Sequence, residues 1–364
     1  MLALFKDVPQ ELLTTEPFAW ARLQWRKALD KGWPPSLAFL QQEWLKEYPQ
    51  QALPVEFSDW VENLGEHAWL QKLFISPDVR EIFAHAPQLV EASGAAQQQV
   101  ICPLSPEDWV LWVETLASQI RAEFNYSKPC TSTHWEYAGS PWRVTLLHSS
   151  LAPGSFPKVF FRKLAAIPYS LDRYGLNSEG EELLKTAIKN KENLLVAGST
   201  GSGKTSLLSS LIQNSDESDH LVLLEDTQEL SCQAPRLTRL LANENLGRGL
   251  SDLLAHSLRL SPDRIVLGEM RSHEVVPFLL AMNTGHRGVM GTLHASSAVD
   301  TLHRVAQLFT LASNRKEMDY REVLKLVCKN VSMVVFMEKR QIKQIIRVYG
   351  CEENQPLYDV IWSK

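Results

Sequence analysis

NLLVAGSTGSGKTSLL, residues 193–208, reads as a buried strand, a glycine-rich turn and the start of a helix. Leu194, Leu195 and Val196 form the short apolar run of a strand covered on both faces. Gly198, Gly201 and Gly203 permit a tight loop with positive φ, and Lys204-Thr205 open a helix carrying Leu207, Leu208 and Leu211. The spacing G-x-x-x-x-G-K-[ST] is met by Gly198, Gly203, Lys204 and Thr205. In such a loop, here Gly198, Ser199, Thr200, Gly201, Ser202, Gly203, Lys204, Thr205 and Ser206, backbone N–H groups and the helix N-terminus face phosphates. The lysine meets the β and γ oxygens of a nucleotide such as ATP, and the threonine hydroxyl is placed to ligate Mg²⁺.

The surroundings suit a multidomain globular protein. The chain has 364 residues, 45% apolar and 22% charged, a length that suggests two or three domains. A net charge of −5 argues against direct nucleic-acid binding by the main surface. No run approaches the roughly 18–20 apolar residues of a membrane span, and Lys6 and Asp7 interrupt any signal-peptide core, so a cytoplasmic location is expected. Cys102, Cys130, Cys232, Cys328 and Cys351 are odd in number and scattered, which points to reduced structural thiols.

Tryptophan divides the chain: ten of the eleven lie between Trp20 and Trp142, and the next is Trp362. Residues 1–75 read as a helical, tryptophan-rich segment. Phe18, Ala21, Trp25, Ala28 and Leu29 recur at helical spacing with Pro17 in a first turn and Gly32 as a stop. A second helix runs around Leu37, Leu40, Trp44 and Leu45, and Ser58 is positioned to cap a third through Val61, Leu64 and Ala68. A partner-docking surface and a small helical core are both open readings, and the spacing favours burial.

Residues 76–162 read as a smaller mixed α/β domain, a sensor-like sheet with one helix. VREIFAH, PQLVEAS and QQQVICPL are strands, and Ser105-Pro106-Glu107-Asp108 starts a helix bearing Trp109, Trp112, Val113, Leu116 and Ile120. THWEYAGSPWRVTLLH is a hairpin turning at Gly139-Ser140-Pro141, followed by the strand KVFFRK. Residues 163–364 form the nucleotide-binding α/β domain. A helix capped by Ser178 precedes the phosphate loop. The runs LVLL (221–224), RIVL (264–267) and GVMGTLH then alternate with helical stretches in a βαβ pattern, and Val331–Met337 and Ile342–Val348 suggest a late antiparallel pair.

In sheets wound this way, ligands sit beyond the carboxyl ends of the strands. Glu225 and Asp226 follow LVLL, Glu269 follows RIVLG, and His294 follows GVMGTL, so three strand ends beside one phosphate loop carry polar residues.

Together, GSTGSGKTS, LLEDTQEL, LRLSPDRIVLGEMR and AMNTGHRGVMGTLHAS resemble the four motifs of the type II and type IV secretion ATPases. These are a Walker A loop, an Asp box, an atypical Walker B with Gly-Glu, and a His box. The match is close over residues 158–305, weaker over 76–157 and absent before 76. The resemblance implies a RecA-like P-loop core preceded by a PAS-like domain, assembled as a homo-hexamer that hydrolyses ATP with Mg²⁺. It implies that Lys204 and Thr205 hold phosphate and metal, and that Glu225, Asp226 and Glu229 shape the metal and water site. Glu269 would then act on the attacking water, His294 sense the γ-phosphate, and Arg162, with Arg143 as a second candidate, supply a cation from the preceding domain. The implied partner is an inner-membrane platform protein of a secretion or pilus system. No tetracysteine zinc insert is present, which points to the compact branch near Tad-pilus and conjugative type IV motors. A conjugative DNA or effector motor, and a nucleotide-switched scaffold with little turnover, stand as alternatives.

Overall fold

Helices form in the first 75 residues where the apolar spacing asks for them. The computed structural model describes residues 16–151, 156–164, 167–242, 247–313 and 319–364. Lys6 and Asp7 lie outside these, as do the other residues before 16. The chain divides into two compact units between Leu164 and Ala165, close to the boundary expected at 163.

The first unit begins with α1 (Glu16–Asp30), α2 (Leu37–Glu47), α3 (Glu56–Gly65) and α4 (Gln71–Ile75). Ser58 is not a cap. Its N–H already bonds to Val55 O at 3.1 Å, so α3 starts two residues before it. Ala68 falls beyond α3 in a 3₁₀ turn, because His67 takes a left-handed conformation (φ 53°) that ends the helical path. Then come β1 (Val79–Ala86), β2 (Leu89–Gly94), β3 (Gln98–Val100), α5 (Pro106–Gln119), β4 (Cys130–Tyr137), β5 (Ser140–Leu147) and β6 (Lys158–Lys163). They build an antiparallel sheet in the order β3-β2-β1-β6-β5-β4. The β4–β5 turn is Ala138-Gly139, both at positive φ, and Tyr137 pairs with Ser140, so Ser140-Pro141 belongs to the strand rather than the turn.

Helical segment and sheet share one core. Trp25, Leu40, Phe57, Trp60 and Leu64 pack in the same cluster as Ile82, Trp109, Trp112, Trp142 and Phe161. Polar bonds pin the two parts together. Trp25 Nε1 donates to Thr115 Oγ1 (2.9 Å), and Trp60 Nε1 and Arg22 Nε both donate to Asp108 Oδ1 (2.9 and 2.8 Å). Most of the tryptophans are therefore core, Trp33 being the exposed exception, and the helical segment is part of the sheet's hydrophobic interior.

The second unit contains α6 (Ser178–Lys189), β7 (Leu194–Gly198), α7 (Lys204–Ile212), β8 (Leu221–Glu225), β9 (Leu237–Leu241), α8 (Leu250–Ser257), β10 (Arg264–Met270) and α9 (Val275–Asn283). It continues with β11 (Met290–Leu293), α10 (Ala298–Ala312), α11 (Tyr320–Asn330), β12 (Met333–Glu338), β13 (Gln341–Glu352) and β14 (Gln355–Ser363). Asn177, not Ser178, caps α6, its side chain accepting from Gly180 N at 2.9 Å. The sheet order is β14-β13-β12-β7-β11-β10-β8-β9. From β12 to β9 the pairs are parallel, and β12, β13 and β14 form an antiparallel wing. The turns of that wing, Lys339-Arg340 and Glu353-Asn354, have positive φ at both residues, the geometry that suits two-residue hairpins. Among the described residues no helix is long and apolar enough to cross a membrane.

Candidate nucleotide site

β7 runs between β12 and β11 with every residue buried, and delivers the loop at its carboxyl end to the start of α7. Gly198, Gly201 and Gly203 have φ of 155°, 72° and 96°. A Cβ on Gly198 would lie 2.3 Å from Met337 O and 2.7 Å from Ser202 Oγ, so only glycine lets the strand end pass β12. Ser199, Thr200 and Gly201 are exposed at the crest, Ser202 is buried beneath it, and Thr205 and Ser206 are half-buried in the first turn of α7. Arg340 N–H donates to Ser202 O (3.0 Å), which ties the β12–β13 turn to the loop.

Lys204 folds back over the loop, its Nζ donating to Gly198 O (3.2 Å) and Ser199 O (3.0 Å) and to His294 Nδ1 (3.2 Å). With the imidazole proton on Nε2, His294 in turn donates to Glu269 Oε1 at 2.7 Å. The other carboxylate oxygen of Glu269, Oε2, accepts from Arg271 Nε (2.7 Å) and Nη2, and Arg271 Nη1 stands 3.5 Å from Asp226 Oδ2. Lys204, His294, Glu269, Arg271 and Asp226 thus form one line of contacts that crosses the ends of β7, β11, β10 and β8 in the order in which those strands lie in the sheet. Burial lowers the Lys204 pKa, with the charge of Glu269 opposing and that of Arg271 adding to the shift. At Arg271 burial is the largest single influence and lowers the pKa, but the hydrogen bond to Glu269 and the charges of Glu269, Asp226 and Glu229 together raise it above the usual value.

Glu225 stands apart from this line. It is 2% exposed; its Oε1 accepts from Glu229 N (2.9 Å) and Leu230 N (2.7 Å), and its Oε2 is paired with Arg239. Gly268 makes room for it, since a Cβ there would meet Glu225 Cγ at 3.2 Å. Burial raises the Glu225 pKa. Expected as a metal ligand, this carboxylate is instead spent on fixing the 226–230 loop, leaving Asp226 as the exposed acid at the end of β8. Among the described residues no group of three or more His, Cys, Asp or Glu side chains forms a metal cluster. The Thr205 hydroxyl and the Asp226 carboxylate are hard oxygen donors of the kind Mg²⁺ takes, one or two of which a protein commonly adds to phosphates and water.

Arg162 lies in the first unit, on β6, bonded through Nε and Nη2 to Glu81 Oε1, both at 2.8 Å. Arg143 is its register partner on β5. Three further residues of the nucleotide unit, Arg271, Glu274 and Arg239, shape the site beyond those the sequence pattern marks. Arg271 follows Glu269 by one strand period, a spacing that would have found it. Glu274 accepts from the N–H groups of Arg271 and Ser272, and Arg239 sits on β9, which has no alternating pattern to signal it.

A parallel sheet with a phosphate loop on the central strand and acid, base and cation at successive strand ends defines a P-loop nucleotide-binding protein of RecA-like class. The family model "Type II/IV secretion system protein" matches residues 143–359. The chain belongs to the type II/IV secretion ATPase family, beside its conjugative type IV branch. It is 27% identical over 300 residues to the conjugal transfer protein TrbB of Rhizobium radiobacter, covering 79% of this chain and 87% of that one. To a probable TrbB of Sinorhizobium fredii it is 32% identical over 269 residues, covering 71% and 75%. Among solved structures, the ATPase DotB of Legionella pneumophila has a similar fold, with TM-score 0.58, 17% identity and coverage of 84% and 79%. The pilus retraction motor PilT with bound ADP gives 0.58, 20%, 81% and 82%.

Proposed function

We propose that this protein is a ring-forming motor that hydrolyses ATP and drives transfer through a membrane-embedded secretion or pilus platform from the cytoplasmic side. The observation that carries the reading is the line from Lys204 through His294 to Glu269: a phosphate-binding cation, a polar relay and a carboxylate meet at the carboxyl ends of three adjacent strands. On nucleotide binding, Lys204 exchanges the carbonyls of Gly198 and Ser199 for phosphate oxygens. Glu269 then orients and deprotonates water, and His294 links the state of Lys204 to that of Glu269. Thr205 and Asp226 are the residues that would hold Mg²⁺, whose chemistry is to neutralise charge on the phosphate oxygens. Phosphoryl transfer needs this positioning and charge compensation more than covalent chemistry. The resemblance gives Arg162 as a further cation for the reaction. Assembly as a homo-hexamer follows from the reading, and the conjugal-transfer relatives favour a conjugative platform as the partner.

Steady-state ATPase and nucleotide-binding assays on the purified chain test this. Lys204→Ala should lose nucleotide affinity, while Glu269→Gln should bind nucleotide no more weakly than the native chain and lose turnover by a factor of about 100 or more, since the carboxylate acts on water in the transition state. Arg162→Ala should lower kcat with little change in affinity. Parental turnover in Glu269→Gln would overturn the assignment of the base, and negligible turnover of the native ring would favour a nucleotide-switched scaffold.

A further inference from the structure

Arg271 has no part in the reading above, yet its side chain holds the carboxylate that the reaction depends on. Its fork takes Glu269 Oε2 through Nε and Nη2 while His294 takes Oε1, so both oxygens of Glu269 are engaged. The two ends of Arg271 are differently held. Its N–H and that of Ser272 are fixed by Glu274, a carboxylate only 7% exposed, with Ser272 N at 2.7 Å. Its side chain is 63% exposed. An anchored backbone with a solvent-facing guanidinium is free to exchange one anion for another. The arginine also lies near enough to the phosphate-loop lysine for its charge to lower the pKa of Lys204.

We propose that Arg271 is a positioning residue with two stations: it clamps Glu269 when the site lacks a triphosphate, and transfers to the γ-phosphate when ATP binds. Glu269 is thereby released to accept a water proton only when there is a γ-phosphate to attack. The planar fork suits both stations, because carboxylate and phosphate each offer paired oxygens to two parallel N–H donors. The exchange requires Arg271 to prefer phosphate to Glu269, and a ligand that lacks the γ-phosphate provides no such preference. This rests on the ATPase reading and adds to it a residue that tells ATP from ADP.

The test is a double-mutant cycle on the full chain, read as dissociation constants for AMP-PNP and ADP with Mg²⁺. Arg271→Gln should weaken AMP-PNP about tenfold or more and leave ADP within about twofold, and Arg271→Lys should keep part of the selectivity. Glu269→Gln removes the competing charge and should tighten AMP-PNP several-fold, a gain absent in the Glu269→Gln/Arg271→Gln double variant. Equal losses for AMP-PNP and ADP in Arg271→Gln, or the same Glu269→Gln gain with and without Arg271, would refute the two-station role while leaving the ATPase reading intact. A native chain that binds neither nucleotide would refute both.

Discussion

His67 shows how far one side chain can be bent to the needs of a core. It is 1% exposed, its Nδ1 accepts from Trp112 Nε1 (2.8 Å) and its Nε2 bonds to Gln119 Oε1 (2.8 Å), which fixes the neutral tautomer. Burial pulls its pKa down to about 4, against the raising effect of Gln119. A histidine whose folded pKa is depressed stabilises the fold fully above its unfolded value near 6.5, and loses that contribution as pH falls from there toward 4. The difference amounts to about 3 kcal/mol. Ten of the eleven tryptophans lie in this unit, so tryptophan fluorescence during urea unfolding reports on it. The fall in midpoint between pH 6.5 and 4 should be smaller in His67→Gln, which cannot titrate; equal slopes in the two proteins would place the titrating group elsewhere. All five thiols are free, and burial pushes Cys102 and Cys328 up to about 12, where neither is a nucleophile at neutral pH.

Among elements, the phosphate loop and the antiparallel wing depend on one another. Gly198 fits against the Met337 carbonyl, and the Lys339-Arg340 turn bonds to Ser202 O. Gly198→Ala should cost about 2–4 kcal/mol, because the added methyl must displace β12 and the residue must hold a backbone conformation unfavourable to alanine. Gly201→Ala faces open space and should cost only about 1–2 kcal/mol, the usual penalty of the left-handed region. Thermal melts of the two variants check this, and a larger loss at Gly201 would contradict the packing argument. Gly198 was legible from the motif spacing, and Gly201 from the glycine-rich turn around it. The reason Gly198 cannot be replaced was not, since Met337 lies far away in the chain. The same holds for Glu225, whose place at a strand end suggests a ligand. Only the approach of Arg239 from β9 and of the 229–230 backbone reveals it as a brace.

The whole molecule divides differently from its composition. The tryptophan-rich start resembles nothing in the motor motifs, which suggests a removable appendage, but its aromatic side chains complete the interior of the sheet domain. Deleting residues 1–75 would expose Trp109, Trp112 and Trp142 and leave Asp108 without Arg22 and Trp60. At about 3–5 kcal/mol for each large aromatic, the combined loss over several exceeds the roughly 5–15 kcal/mol by which a domain is stable. The truncated chain should be recovered as aggregate, or lack a cooperative transition by tryptophan fluorescence. A soluble 76–364 protein with parental ATPase activity would show that the helices are dispensable.

By itself the sequence determined the features that depend on local order: the strand, loop and helix of residues 193–208, the alternation of apolar runs with helices, and the positions of Asp226 and His294 just after strands and of Glu269 in the last residues of one. Those features are governed by periodicity, glycine and spacing, which act between near neighbours. Tertiary structure alone decided the partners: that His294 bridges Lys204 and Glu269, that Arg271 clamps Glu269, that Glu225 is a brace, and that the first helices belong to the sheet domain's core. These outcomes arise because burial and charge pairing join residues distant in the chain, and the cost of leaving a charge or an indole unpartnered in the interior is settled only when the fold brings its partner alongside.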